Sequence, residues 1–273
     1  MNHVGKALMI GGLGIASLLN LSPSVAKTAL PYPGTLPFAV SKYVKTDGRC
    51  AHLPKAPCTQ ITVAYPQFHP SSTPTSTAID AINNHIQQLL LQKAANDRPP
   101  QDIESAMSQF IRDYHAAVKE FPRQGVWADE KQVEVKTNQP HLLSLQFSHY
   151  FYTGGAHPNS SRTYWNFNPK TGTLIQLSDV LVKGYAPKLN AIAEQHFRAV
   201  KALSPSTSLN KAGFWFENDK FQVNDNFLIA PEGLIFFFNT YEIGPYVVGP
   251  TEIKIPYTEL EELIKDQTFL PTP

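Results

Sequence analysis

The run with the most chemical content is Tyr150-Phe151-Tyr152-Thr153-Gly154-Gly155-Ala156-His157. Gly154 and Gly155 allow positive φ or the close approach of another chain. Tyr150 and Tyr152 each offer an apolar ring tipped with a hydroxyl, a combination suited to sugars and protein surfaces. The same run also reads as a glycine bend ending a strand, with His157 bonded to backbone. A second run, Tyr241-Glu242-Ile243-Gly244-Pro245-Tyr246-Val247-Val248-Gly249, must turn tightly at Gly244 and Pro245. Tyr241 and Tyr246 would form its rim, or one tyrosine would anchor the loop on the core. The candidate binding residues are therefore Tyr150, Tyr152, Gly154, Gly155, His157, Tyr241, Gly244 and Tyr246.

Catalytic patterns are missing. The sequence holds no Gly-x-Ser-x-Gly, no His-Glu-x-x-His and no P-loop. Carboxylates are plentiful, but no spacing selects a glycosidase-like pair. Glu259, Glu261 and Glu262 read as one solvated helix face. His149 and His157, with His141, form a candidate metal set, because imidazole is the commonest metal ligand. Against that set, His149 falls among core residues on its strand. No catalytic residue, metal ligand or cofactor is assigned. Gly11-Gly12-Leu13-Gly14 lacks the third glycine and preceding strand of a dinucleotide loop.

The elements that must position these residues follow from periodicity. Ile61, Val63 and Tyr65 alternate as in a strand. Ile79, Ile82, Ile86, Leu89 and Leu90 repeat at helical spacing behind an N-cap at Thr77. Ile103, Met107, Phe110, Ile111, Tyr114, Val118 and Phe121 form a second stripe, bounded by Pro99-Pro100 and Pro122. His85 and His115 on these helices are read as solvent-facing or capping. A polar strand is expected over 126–138. In the next strand Leu143, Leu145, Phe147, His149 and Phe151 share one face, and Ser144, Gln146, Ser148, Tyr150 and Tyr152 the other. Hairpins are expected at 162–177 and 227–239, with Leu234 to Phe238 apolar on both faces and hence a covered central strand. A helix over 185–203, a strand at 252–255 and a C-terminal helix over 258–265 complete the chain.

Helices and strands are partly segregated, which indicates an α+β fold of two small helix-plus-antiparallel-sheet subdomains packed together. The division expected is a leader over 1–26, an extended arm over 27–58, and subdomains over 59–158 and 159–273. The leader reading rests on Lys6, the apolar run Ala7 to Leu19 and the small residues of Ser24-Val25-Ala26. That run is too short to span a bilayer, so no stable membrane insertion is expected after cleavage. Export to the periplasm or beyond makes a disulfide the expected state of Cys50 and Cys58. No second Cys/His pair at zinc-site spacing accompanies them. Without Lys6, 22 basic residues face 22 acidic ones; nothing in that balance suggests the basic surface that nucleic-acid binding wants, and no nucleic-acid partner is expected. An apolar content of 42% suits a packed core.

Several segments together resemble one domain family. They are Tyr152 to Pro158, Asn166-Phe167-Asn168-Pro169-Lys170-Thr171-Gly172-Thr173-Leu174, Leu177-Ser178-Asp179-Val180-Leu181, and Phe227 to Phe238 followed by Tyr241 to Tyr246 and Gly249. Pro66 and the helix with Asn83 and Ile86 are similar to its leading part. The family is the paired domain of unknown function in the extracytoplasmic part of RsiV-type anti-sigma factors, which also precedes the catalytic domain of PdaC-type peptidoglycan deacetylases. The resemblance covers roughly 60–265. It implies an α+β fold and a non-catalytic, envelope-facing binding role, with lysozyme or peptidoglycan as partner. The alternative is an envelope glycan-acting enzyme, a deacetylase or hydrolase assisted by a metal at His149 and His157.

Overall fold

The computed structural model describes residues 26–27 (backbone only), 35–48, 50, 57–70, 76–92, 100–122 and 125–271 of the chain. The expected leader lies outside the described residues, apart from the backbone of Ala26. No helix among the described residues is long and apolar enough to cross a membrane.

A large sheet of seven strands runs in chain order: β1 Ala26–Lys27, β2 Phe38–Gly48, β3 Cys58–Phe68, β4 Val126–Gln139, β5 Leu142–Tyr152, β6 Asn159–Asn168 and β7 Thr173–Leu174. All neighbours are antiparallel except β3 and β4. That one parallel pair needs a crossover, supplied by the helices α1 Ser76–Leu90 and α2 Ile103–Glu120. The stretch expected as an arm instead provides β2, an eleven-residue strand paired with β3 along its whole length. Cys50 and Cys58 form the expected disulfide, with Cα atoms 5.3 Å apart.

The apolar stripes become the core. Ile79, Ile82, Ile86 and Leu90 of α1 and Ile103, Met107 and Phe110 of α2 bury against Ile61, Val63, Val133, Leu143, Leu145, Phe147, Trp165 and Phe167. Each such side chain contributes about 1.5–3 kcal/mol when fully buried. α2 starts at a capping box: Asp102 accepts from the Ser105 N–H at 2.7 Å, and Ser105 Oγ accepts from the Asp102 N–H at 3.1 Å. His85 departs from its solvent-facing expectation. Its ring lies edge-on to Trp165 and Phe167, with centroids 5.3 and 5.2 Å away.

Downstream, the short helix α3 Leu177–Val180 and the longer α4 Ala186–Val200 precede a three-stranded sheet of β8 Phe227–Ala230, β9 Gly233–Phe238 and β10 Thr251–Ile255, with β9 central. Leu234, Phe236 and Phe238 face α4, which contributes Leu189, Ala193 and Phe197. Ile235 and Phe237 face Tyr164 on the large sheet. β9 is thus buried on both sides, as its unbroken apolar run indicates. The layers stack as α1 and α2, large sheet, small sheet, α4. β6 hydrogen-bonds along β5, so a division at residue 158 passes through the large sheet.

The expected helix over 258–265 is absent. A short 3-10 turn at Tyr257–Glu259 takes its place. One more turn follows, with the Leu263 and Ile264 N–H groups donating to Leu260 O at 2.8 and 3.0 Å, and the backbone there also pairs sideways: the Val182 N–H donates to Leu263 O and the Lys265 N–H to Val180 O, both at 2.8 Å.

Candidate functional site

β4 and β5 carry polar groups onto the face that elsewhere holds the core. Period two aligns Trp127, Asp129, Lys131, Val133 and Val135 on one side of β4. Asp129 and Lys131 are therefore charges at inward positions. They meet His149 and Phe151 of β5 in a cavity of about 510 Å³, closed by Leu90, Phe110, Asn159 to Ser161, Asn239 and Thr240.

Asp129 organises this site. Its Oδ1 lies 2.8 Å from His149 Nε2, and its Oδ2 lies 3.7 Å from Lys131 Nζ. The Lys131 ammonium also donates to Leu90 O at 2.9 Å, at the C-terminus of α1, where the helix carbonyls favour a cation. Phe110 and Phe151, 5.9 Å apart, supply an apolar wall. Ser161 is the cross-strand partner of His149, and His149 Nε2 is engaged by Asp129. Among the described residues no hydrogen bond joins the His149 ring to a serine, threonine or cysteine side chain, the contact by which a base activates a nucleophile.

The sequence-predicted residues fall into two groups. His157, Tyr241 and Tyr246 come together. The His157 ring stacks on Tyr246 at 3.7 Å and 19°. Its Nε2 lies 3.2 Å from the Tyr241 hydroxyl, and its Nδ1 lies 3.1 Å from Pro158 O. Tyr241 holds φ +67°, a left-handed conformation costly for a non-glycine residue. Gly244 gives this loop room, since a Cβ there would stand 2.7 Å from the Val248 side chain. Thr240 lines the cavity and Tyr241 follows it in the chain, so the aromatic cluster adjoins that wall.

Tyr150 and Tyr152 stand elsewhere, on the opposite face of the large sheet. They line a separate hollow with Cys58, Gln60, Ala128 and Glu130. Gly154 and Gly155 take φ +90° and +95°, and the Tyr152 hydroxyl donates to Gly155 O at 3.1 Å.

The three histidines of the candidate metal set have separate surroundings. His141 lies in the β4–β5 turn, eight residues and so roughly 25 Å along the strand from His149. No group of three or more His, Cys, Asp or Glu able to share a metal occurs among the described residues. Sequence reading missed Asp129 and Lys131. The available signal was a pair of charges in phase with Val133 and Val135 on a strand assigned simply as polar.

Two family models match. Residues 54–160 match the one described as deacetylase PdaC, and residues 178–258 match the one described as a protein of unknown function, DUF3298. The chain carries the paired PdaC and DUF3298 domains. The Asp129–His149 pair lies in the PdaC-like part, and the Tyr241–Tyr246 loop lies in DUF3298. Peptidoglycan-N-acetylmuramic acid deacetylase PdaC of Bacillus subtilis (strain 168) is 24% identical over 127 residues, covering 46% of this chain and 27% of that protein. The chain thus corresponds to about a quarter of the relative's length. Two solved structures share the fold. A DUF3298 family member from Bacteroides fragilis has a TM-score of 0.66 at 22% identity, over 85% of this chain and 95% of its own. A DUF3298 family protein from Pseudomonas aeruginosa PAO1 has a TM-score of 0.62 at 19% identity, over 86% of this chain and 98% of its own.

Proposed function

We propose that this PdaC–DUF3298 chain is an exported, non-catalytic module that binds the glycan of the bacterial cell envelope, with peptidoglycan as its ligand. One observation carries the reading: a 510 Å³ cavity joins an apolar wall to a converging Asp129, His149 and Lys131, and it adjoins the His157–Tyr241–Tyr246 cluster. Such a site can take the apolar face of a sugar ring on Phe110 and Phe151 and its hydroxyls on the charged end. The stacked His157 and Tyr246 continue the surface for a second ring, as an extended strand requires. The B. subtilis relative, named for peptidoglycan deacetylation, supports the ligand class. The leader expected over 1–26 and the Cys50–Cys58 disulfide support export.

The test is co-sedimentation of the purified protein with insoluble peptidoglycan, and calorimetry with soluble oligosaccharides released from it. Binding that falls at least about tenfold in Phe151→Ala and Tyr246→Ala, corresponding to about 1.4 kcal/mol, is expected. A protein that stays in the supernatant at all concentrations would overturn the reading.

A second reading rests on exposed apolar side chains beside the same loop. Trp215 is 57% exposed and Val247 89%, and the Trp215 N–H donates to Ile243 O at 3.0 Å. Grouped apolar exposure favours a protein partner, and lysozyme is the one the family resemblance implies. Gel filtration with lysozyme tests it, and separate elution removes it.

A further inference from the structure

We propose that the face of the large sheet on which the small sheet packs carries, beyond the area that sheet covers, a second binding site, centred on Glu130 opposite Tyr150 and beside Tyr152, for the free ammonium group of an amino-sugar chain. Register places the residues. Glu130 is the direct partner of Tyr150 on β5 and of Thr62 on β3, and Ala128 is the partner of Tyr152 and of Gln60. By the period of two, all of these side chains leave the sheet opposite to Asp129 and His149. The small Ala128 between Gln60 and Tyr152 leaves a hollow of about 430 Å³. A neighbouring hollow of about 280 Å³ shares Glu130 and Tyr150 and continues past Gln132 and Ser148 to Arg162, where Phe237 and Pro250 wall it. The two form one groove along β5.

Charge identifies the ligand. Arg162, at the far end of the groove, is taken by Glu252 at 2.8 Å. Gln132 is engaged by Glu134 at 3.0 Å, and Glu134 lies 4.0 Å from Lys136. Glu130 has no ion-pair partner among the described residues. Its cross-strand neighbours Thr62 and Tyr150 carry no charge, and it is exposed. The groove floor therefore presents one uncompensated carboxylate flanked by tyrosine rings, with the Tyr152 ring tethered by its hydroxyl to Gly155 O. A carboxylate beside aromatic faces attracts an ammonium group through both charge and ring quadrupole.

Strand position favours a glycan over a peptide. β3, β4 and β5 are interior strands, so this face offers no unpaired backbone for an added peptide strand. It offers only side chains: rings to stack on, and the Gln60 amide and Ser148 hydroxyl to meet sugar hydroxyls. The site lies on the other side of the sheet from the cavity, and the two assignments stand or fall separately.

Calorimetry at low salt and a pH that keeps the amine protonated would compare a glucosamine hexasaccharide with its fully N-acetylated counterpart. The amine form is expected to bind about five- to tenfold more tightly. Glu130→Gln should erase that preference, and Tyr150→Ala should weaken the amine form, both with thermal midpoints unchanged. Equal affinity for the two sugars, no binding of either, or a preference retained in Glu130→Gln would overturn the site. A lysine hexapeptide that binds as tightly as the amino sugar would overturn the glycan assignment.

Discussion

Asn239 binds both backbone groups of Arg162. The Arg162 N–H donates to Asn239 Oδ1 at 2.7 Å, and Asn239 Nδ2 donates to Arg162 O at 3.0 Å. The side-chain amide thus occupies the place of a neighbouring strand on the free edge of β6. Asn226 extends the same edge, accepting from the Tyr164 N–H at 2.8 Å and donating to Arg162 O at 2.9 Å. These two asparagines hold the DUF3298 part against the PdaC-like sheet. Leaving buried backbone groups unpaired costs about 1–3 kcal/mol. Asn226→Ala and Asn239→Ala are each expected to lower stability by about that much in urea unfolding. Because both act on Arg162, the double variant should be non-additive. Two neutral single variants would show that the docking rests on the other contacts between the sheets, the packing of Tyr164 on Phe237 and the buried Asn166 hydrogen bonds to Phe227 O and the Ile229 N–H.

His85 makes stability depend on pH. Burial against Trp165 and Phe167 pushes its pKa below the ordinary histidine value, and its Nε2 is buried without a hydrogen-bond partner. The unfolded chain therefore takes up this proton before the folded one. The contribution from a neutral ring is complete above the unfolded pKa of about 6.5 and is lost as pH falls below it. The thermal midpoint should drop between about pH 7 and pH 5, with a shallower drop in His85→Phe. Identical pH profiles for the two proteins would show that the ring is solvated.

The Cys50–Cys58 clip closes a short loop, with a sequence separation of 8, worth about 2–3 kcal/mol in the chain-entropy model. It fixes the start of β3, where Gly48 at φ +89° would put a Cβ 2.5 Å from Pro57 O. The Cys50→Ser/Cys58→Ser double variant should unfold at correspondingly lower urea. A reducing agent should lower the wild type to the same midpoint and leave the variant unmoved.

The helical stripes, the alternating β5 and the doubly buried β9 were legible because each rests on a local period, as in Ile79, Ile82 and Ile86. The disulfide followed from two cysteines in a chain expected to be exported. Features fixed by distant partners were not legible. The segment after Tyr257 has helix-forming residues, but its backbone is taken by Val180 and Val182. His85 faces Trp165, eighty residues away, which no local pattern reveals. The aromatic half of the site was visible as Tyr and Gly runs. Its charged half was hidden because Asp129 and Lys131 meet His149 only once β4 and β5 pair.

Gly233 begins β9 at φ +151°, and a Cβ there would lie 2.2 Å from Ile255 O. The obstacle is backbone of β10, so the small sheet itself must open to admit a methyl group. Gly233→Ala is expected to cost more than about 1 kcal/mol, read as a lower urea midpoint. At Gly155 an added Cβ meets nothing within 4 Å, so the cost of Gly155→Ala is limited to backbone strain at φ +95°. Equal destabilisation by the two changes would contradict the tight packing at Gly233.

Asp129 neutralises the cavity end, and its removal should separate charge from shape. Asp129 and Lys131 side chains are only 15% and 10% exposed, so Asp129→Ala leaves the Lys131 ammonium with little besides Leu90 O to balance it. Losing one partner of a largely buried pair is destabilising by several kcal/mol at most, and water in the cavity should reduce this to about 1–3 kcal/mol. Asp129→Asn keeps the volume and an acceptor for His149 or Lys131, so its cost should be smaller. Replacing both charges, as in Asp129→Asn/Lys131→Met, should recover part of the loss, because neither group is then left uncompensated. A double variant whose cost equals the sum of the two singles would show that the pair does not interact, and that Lys131 holds α1 through Leu90 alone.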